Sequence, residues 1–315
     1  MLLAVPLAGE AQNARKVYRI GYLGNSSAFL EPDLVEAFRQ GMRHLGYVEN
    51  QNVIIEYRWA EGKYDRFTAL VADLIRLQVD VIVTAGTPGT LAAKNATKTI
   101  PIVMAVSGDA VGVGLVESLA RPGGNVTGLT TMVSELEGKR FELLKEILPK
   151  LARVAVFKND ANPLSAIQFR HTVAAAKSLH IALEPLDVRA VGEFEKAFAS
   201  VAKSRPDAIM VFSDRFLLAE RERIVAFAAK QRLAGMYSYA EFVASGGLIS
   251  YSPNYPESFR SSARYVDKIL KGAKPADLPV EQPTRFELVI NMKTAKTLGV
   301  KIPNSILVRA DKVIE

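Results

Sequence analysis

The 315-residue chain contains no cysteine, which excludes disulfides, thiolate zinc sites and cysteine nucleophiles. Histidine is scarce: His44, His171 and His180 all fall on helix-like segments. None forms a His-Glu-x-x-His pair or another metal-ligand spacing, so no metal centre is expected. There is no Gly-x-Ser-x-Gly elbow and no Walker loop. Gly112-Val113-Gly114 lacks the third glycine of a dinucleotide fingerprint and does not directly follow a strand-like run. With no catalytic constellation, neither an enzymatic activity nor a cofactor is expected. No segment reaches the ~18 consecutive apolar residues of a membrane span. Lys and Arg total 40 against 33 Asp and Glu, but they are scattered, as in Lys139-Arg140 and Arg221-Glu222-Arg223. That pattern reads as a solvated basic surface and not as a nucleic-acid site.

What is present is an ordinary globular composition, 49% hydrophobic and 23% charged, in a chain long enough for two domains. The first residues form an apolar stretch followed by small residues at Ala8, Gly9 and Ala11. This reads as the end of a secretory signal with cleavage near Ala11, making residues 1–16 a leader. Beyond it, strand-like and helix-like segments alternate. Leu34, Val35, Phe38, Met42 and Leu45 recur at helical spacing, as do apolar positions in 67–77, 135–148, 166–179, 194–203, 217–232 and 259–270. The alternation predicts an α/β fold with right-handed crossovers and parallel sheets. The segment 272–283 is Pro-rich and reads as a linker.

Six apolar runs end in polar clusters, three in each half of the chain. Run 19–23 ends in Gly24-Asn25-Ser26-Ser27, run 79–83 in Thr84-Ala85-Gly86-Thr87, and run 100–106 in Ser107-Gly108-Asp109. Run 153–157 ends in Lys158-Asn159-Asp160, run 208–212 in Ser213-Asp214, and run 247–249 in Ser250-Tyr251-Ser252. Open parallel sheets bind ligands outside the carboxyl ends of their strands, so two such rows suggest two lobes facing one cleft. The candidate ligand-binding residues are Asn25, Ser26, Gly86, Thr87, Ser107, Asn159, Asp160, Asp214, Phe216, Tyr239 and Ser252. Gly86 and Thr87 precede a helix start at Pro88, where free backbone N–H groups and the helix dipole favour a carboxylate. Thr87 and Ser107 add hydroxyls; the competing role for Thr87 is helix capping. Asp214 suits a ligand ammonium or hydroxyl, against an ion pair with Arg215 or a cap on the next helix. Asn159 and Asp160, with Asn162 close by, hold the equivalent place one unit earlier, against turn formation before Pro163. Phe216 and Tyr239 are the aromatic candidates; Tyr22, Trp59 and Tyr251 read as packing.

Several stretches carry a family resemblance: RQGMRHLGYVE (39–49), EYRWAEG (56–62), GLVESLARPGGNVTG (114–128), GGLISY (246–251), and KGAKPADLPVEQP (271–283) with FELVIN (286–291). Together they resemble a large family of bacterial ABC-transporter substrate-binding proteins related to tryptophan-transport binding proteins. The likeness covers nearly all of the chain from Arg15 onward. It implies a type I periplasmic-binding-protein fold: two Rossmann-like lobes joined by three hinge crossings, near 131–134, 252–254 and 283–286. Lobe 1 is then 17–131 plus 254–283, and lobe 2 is 132–253 plus 284–315. It also implies an exported, periplasmic, monomeric protein with an ABC permease of the inner membrane as partner. The ligand is expected to be small and polar, amino acid-like or an aromatic carboxylate. Tryptophan-type relatives usually differ around the second-lobe strand ends, so the Asn159-Asp160 and Asp214-Arg215 pairs leave its identity open. The rival readings are a ligand-sensing domain and a two-lobed α/β transferase. The first would carry a helix-turn-helix domain ahead of a first strand that here starts at Tyr18. The second would need a phosphate loop or an acid/base pair.

Overall fold

A computed structural model of the chain describes residues 16–131 and 133–315; the leader and its cleavage point near Ala11 lie outside the described residues. Among these, the longer strands form two sheets. The first holds β1 (Tyr18–Gly24), β2 (Val53–Trp59), β3 (Val81–Ala85), β4 (Ile102–Gly108) and β5 (Val126–Thr131) in the order β2-β1-β3-β4-β5, all parallel. Its helices include α1 (Pro32–His44), α2 (Phe67–Arg76) and α3 (Thr87–Ala96). Every residue of β3 and β4 is buried, which explains why these strands read as continuous apolar runs. One face carries Ile20, Phe38, Val83 and Phe259, the other Leu23, Phe67, Ile82 and Met104.

The second sheet holds β6 (Arg153–Lys158), β7 (Ala182–Asp187), β8 (Ala208–Val211), β9 (Ala234–Tyr237), β10 (Ile249–Pro253), β11 (Phe286–Asn291) and β12 (Lys312–Ile314). Their order is β12-β11-β10-β9-β8-β6-β7. Around it lie α4 (Val133–Ile147), α5 (Leu164–Ser178), α6 (Phe194–Ser204), α7 (Arg215–Ala219), α8 (Arg221–Gln231) and α9 (Ala240–Ala244). The helix expected over 217–232 is thus two helices, α7 and α8, meeting at Glu220. Phe141, Val156 and Met210 fill one face; Phe157, Phe194 and Ile209 fill the other.

Two features depart from the sequence reading. The second sheet is not wholly parallel, because β11 pairs antiparallel to β10, with Pro253 opposite Phe286. The chain leaves this sheet at the end of β10, forms α10 (Tyr255–Leu270) against α1, and returns beside the point it left. Re-entering at that end, β11 can only run backwards, and β12 follows it in parallel. The stretch expected as a linker is also anchored. Glu281 N–H donates to Gly128 O at 2.9 Å, Thr130 N–H to Glu281 O at 2.9 Å, and Thr127 Oγ1 to Leu278 O at 2.7 Å. Gly128 allows the adjoining β5–β4 approach: its φ is +123°, and a Cβ there would lie 2.2 Å from Met104 O.

The chain therefore passes between the sheets after Thr131, at Asn254, and between Glu281 and Phe286. No helix among the described residues is long and apolar enough to cross a membrane.

Candidate functional site

On the first sheet, three strand ends converge. Asn25 follows β1 and is 2% exposed. Its Nδ2 donates to Ala85 O at 2.7 Å, which fixes the amide, while its Oδ1 is buried without a partner among the described residues. After β3, Gly86 turns the chain at φ +72° and donates its N–H to Val106 O at 2.8 Å. This places Thr87 as the first residue of α3, with Gly86 at the cap position and no side-chain cap. The first N–H groups of α3 lack intrahelical acceptors and face the cleft with the positive end of the dipole. Thr87 Oγ1 lies 3.4 Å from Ser107 Oγ at the end of β4.

The second sheet supplies charge. Asp214 caps α7, with Oδ1 accepting from Phe216 N at 3.0 Å and Leu217 N at 3.1 Å. Asn159 Nδ2 reaches Oδ1 at 3.3 Å, and Asn162 Nδ2 reaches Oδ2 at 3.0 Å. Tyr64, in a 3-10 turn between β2 and α2, donates its hydroxyl to Asp214 Oδ2 at 2.5 Å. That bond ties one lobe to the other. Burial, and then the Asp214 charge and hydrogen bond, push the Tyr64 phenol well above its usual pKa, so it stays a donor.

Arg140 on α4 is 1% exposed. Its Nη1 donates to Glu137 Oε1 at 2.5 Å and its Nε to Tyr251 O at 3.0 Å, but Nη2 is buried without a partner among the described residues. Glu137 also accepts from Gln168 Nε2 at 2.8 Å and Thr172 Oγ1 at 3.3 Å. Arg215 is buried between two rings, 4.9 Å from the Tyr239 centroid and 5.3 Å from that of Tyr255. Burial opposes its charge, yet Tyr239, Glu31, Tyr255 and Glu241 outweigh it and raise its pKa.

These groups surround a chamber of about 50 Å³ between the lobes. Of the candidates read from sequence, Asn25, Gly86, Thr87, Ser107, Asp214 and Tyr239 line it, and the other five do not. Ser26 donates both its N–H and Oγ to Glu31 Oε1, at 2.9 and 2.5 Å. Asn159 supports Asp214 from behind. Asp160 pairs with Lys158 and accepts from Ser165 Oγ at 2.9 Å; burial opposes its charge, but these contacts leave its pKa lowered. Phe216 packs 5.9 Å from Phe194 in the lobe core. Ser252 is buried in β10 opposite Glu287. Sequence reasoning passed over Tyr64, Glu137 and Tyr255, saw Arg215 only as an ion-pair partner of Asp214, and placed Arg140 on the solvated basic surface, whereas α4 buries it against Glu137. Asp214 instead caps α7, and Arg215 turns to the tyrosines. The available sign for Arg140 was the Glu137–Arg140 spacing of three on one helix, which most often marks a surface pair.

Residues 29–314 match the family described as ABC transporter substrate binding protein. A tyrosine-binding protein of Clostridioides difficile (strain R20291) is 27% identical over 282 residues, covering 89% of this chain and 81% of that protein. A Streptococcus pneumoniae ABC domain solved in complex with L-Trp superposes with a TM-score of 0.87 at 28% identity, over 94% of this chain and 99% of that one. A conserved domain protein of Vibrio cholerae O1 biovar El Tor gives a TM-score of 0.89 at 27% identity, over 95% and 100%.

Proposed function

The chain belongs to the ABC transporter substrate-binding protein family, and from that premise we propose that it captures a small carboxylate, amino acid-like or aromatic, in the chamber between its lobes. Proteins of this family are solute-binding components of transport and not enzymes. Delivery to an inner-membrane permease by a monomer in the periplasm completes the reading.

The observation that carries it is two buried atoms without partners among the described residues, one per lobe: Asn25 Oδ1 and Arg140 Nη2, both on residues lining the same chamber. Buried polar groups are normally satisfied, so a bridging ligand accounts for both. The carboxylate reads onto Arg140, the start of α3, and the hydroxyls of Thr87 and Ser107. Tyr64, Tyr239 and Tyr255 offer aromatic walls for a ring. The relatives named for tyrosine and solved with L-Trp support an aromatic ligand that carries a carboxylate. In this mechanism the lobes open about the three crossings. A ligand that touches both lobes binds the closed form better, and that difference drives closure.

A thermal-shift screen over amino acids, aromatic acids, sugars and nucleosides tests the reading. A true ligand at a hundred times its Kd adds about 2.7 kcal/mol of stability. We expect the hits to be carboxylates and the shift to vanish in Asn25→Ala and in Thr87→Ala. A shift that survives both substitutions together would remove the chamber as the site.

A further inference from the structure

We propose that the preferred ligand is an aryl or arylalkyl carboxylate without an α-ammonium group, in preference to the matching aromatic α-amino acid. The proposal rests on capture in the interlobe chamber and narrows it. An α-ammonium brings three N–H donors and a full charge into a site shielded from water, where it needs a carboxylate or several free acceptors. The chamber is lined by two carboxylates, Glu137 and Asp214, and both already receive protein donors.

A carboxylate offers about four acceptor positions. Asp214 receives five donors: the Phe216 and Leu217 N–H groups, the Asn159 and Asn162 amides, and the Tyr64 hydroxyl. Glu137 is fully buried and receives Arg140, Gln168 and Thr172. An ammonium approaching Asp214 would have to displace a protein donor, and Glu137, with two donors on Oε1 and one on Oε2, keeps room for at most one more. Among the described residues, Asn25 Oδ1 is a buried acceptor without a partner, a neutral oxygen whose amide is pinned by Ala85. One neutral oxygen suits a phenol, hydroxyl or ring N–H.

Donors, by contrast, are in surplus. Arg140 Nη2 is buried and donates to nothing among the described residues. Arg215 is held by ring faces, which attract its charge but accept no strong N–H···O bond. Tyr255 packs against Arg215; burial raises its pKa, and Arg215 and Arg140 both act on it in the opposite sense. With the N–H groups of the first turn of α3, which have no intrahelical acceptors, the site offers a ligand more donors than charged acceptors.

Matched pairs differing only in the α-ammonium provide the test. Calorimetric titration would compare 3-(4-hydroxyphenyl)propionate with L-tyrosine, and 3-(indol-3-yl)propionate with L-tryptophan. We expect the propionates to bind the unaltered chain at least about tenfold more tightly. Arg140→Gln should abolish propionate binding. Tighter binding of the amino acid in both pairs would overturn the inference while leaving interlobe capture intact. Absence of binding by all four compounds would overturn the inference and the functional reading together. The decisive comparison uses the unaltered chain, so it stands even if Arg140→Gln fails to fold.

Discussion

Four of the donors on Asp214 come from its own lobe, and the fifth, Tyr64, comes from the other. The two sides of this cluster therefore separate by mutation. Asp214→Asn turns one acceptor oxygen into a donor among donors, leaving buried amides unsatisfied at about 1–3 kcal/mol. We expect urea unfolding of the ligand-free variant to show that loss. Tyr64→Phe leaves the second lobe's own network whole and removes the bond between lobes. Its ligand-free stability should stay near that of the unaltered chain, while ligand affinity falls roughly tenfold, the scale of one bond to a charged acceptor. Equal affinity in calorimetry would show that the bond does not contribute to the bound state. Sequence alone did not separate Asn159, Asp160 and Asn162, three polar residues after one strand. Their roles depend on which of them faces Asp214, and that follows from the β6–β8 pairing, a contact distant in sequence.

At the scale of elements, the central strands were legible because burial on both faces writes itself as apolar runs, although β3 and β4 continue two residues past the runs 79–83 and 100–106, and the more exposed β12 left no such run. The helix over 135–148 was equally legible and falls within one residue of the end of α4. What periodicity could not convey is that one charged pair on α4 is buried: Glu137 and Arg140 are 0% and 1% exposed, yet in sequence they look like any helix-surface pair. The direction of β11 was hidden for a different reason, since it depends on α10 packing against α1. That packing is tight. A Cβ at Gly41 would lie 2.4 Å from Arg260 O, and Tyr47 Oη donates to Asp267 Oδ1 at 3.0 Å. Burial first, then Asp267, push the Tyr47 phenol from 10.0 up to about 12. The folded value lies above the unfolded one, so this contribution is whole below pH 10 and is lost as pH rises toward about 12. Tyr47→Phe should therefore lose stability less steeply than the unaltered chain across that window. Parallel slopes in urea midpoints measured against pH would count against it.

For the whole molecule, the question is what sets how closely the lobes approach. Gly108 ends β4 in the first lobe, and Leu164 begins α5 in the second. A Cβ added at Gly108 would lie 2.3 Å from Leu164 Cδ2, 2.8 Å from Cδ1 and 3.1 Å from Cγ. Gly108 is not among the glycines at positive φ, so its smallness serves this approach and not a turn. Gly108→Val then acts as a wedge placed between lobes whose own cores it does not enter. Forcing extra methyl groups into a filled contact costs about 1–3 kcal/mol, charged here against closure and not against folding. We expect the ligand-free thermal midpoint to stay within the range of surface substitutions, ligand affinity to fall about tenfold or more, and the ligand-induced decrease in radius of gyration by X-ray scattering to shrink. A lowered midpoint with normal affinity would place the strain inside the first lobe instead, and unchanged affinity would mean that Leu164 moves aside as the lobes meet.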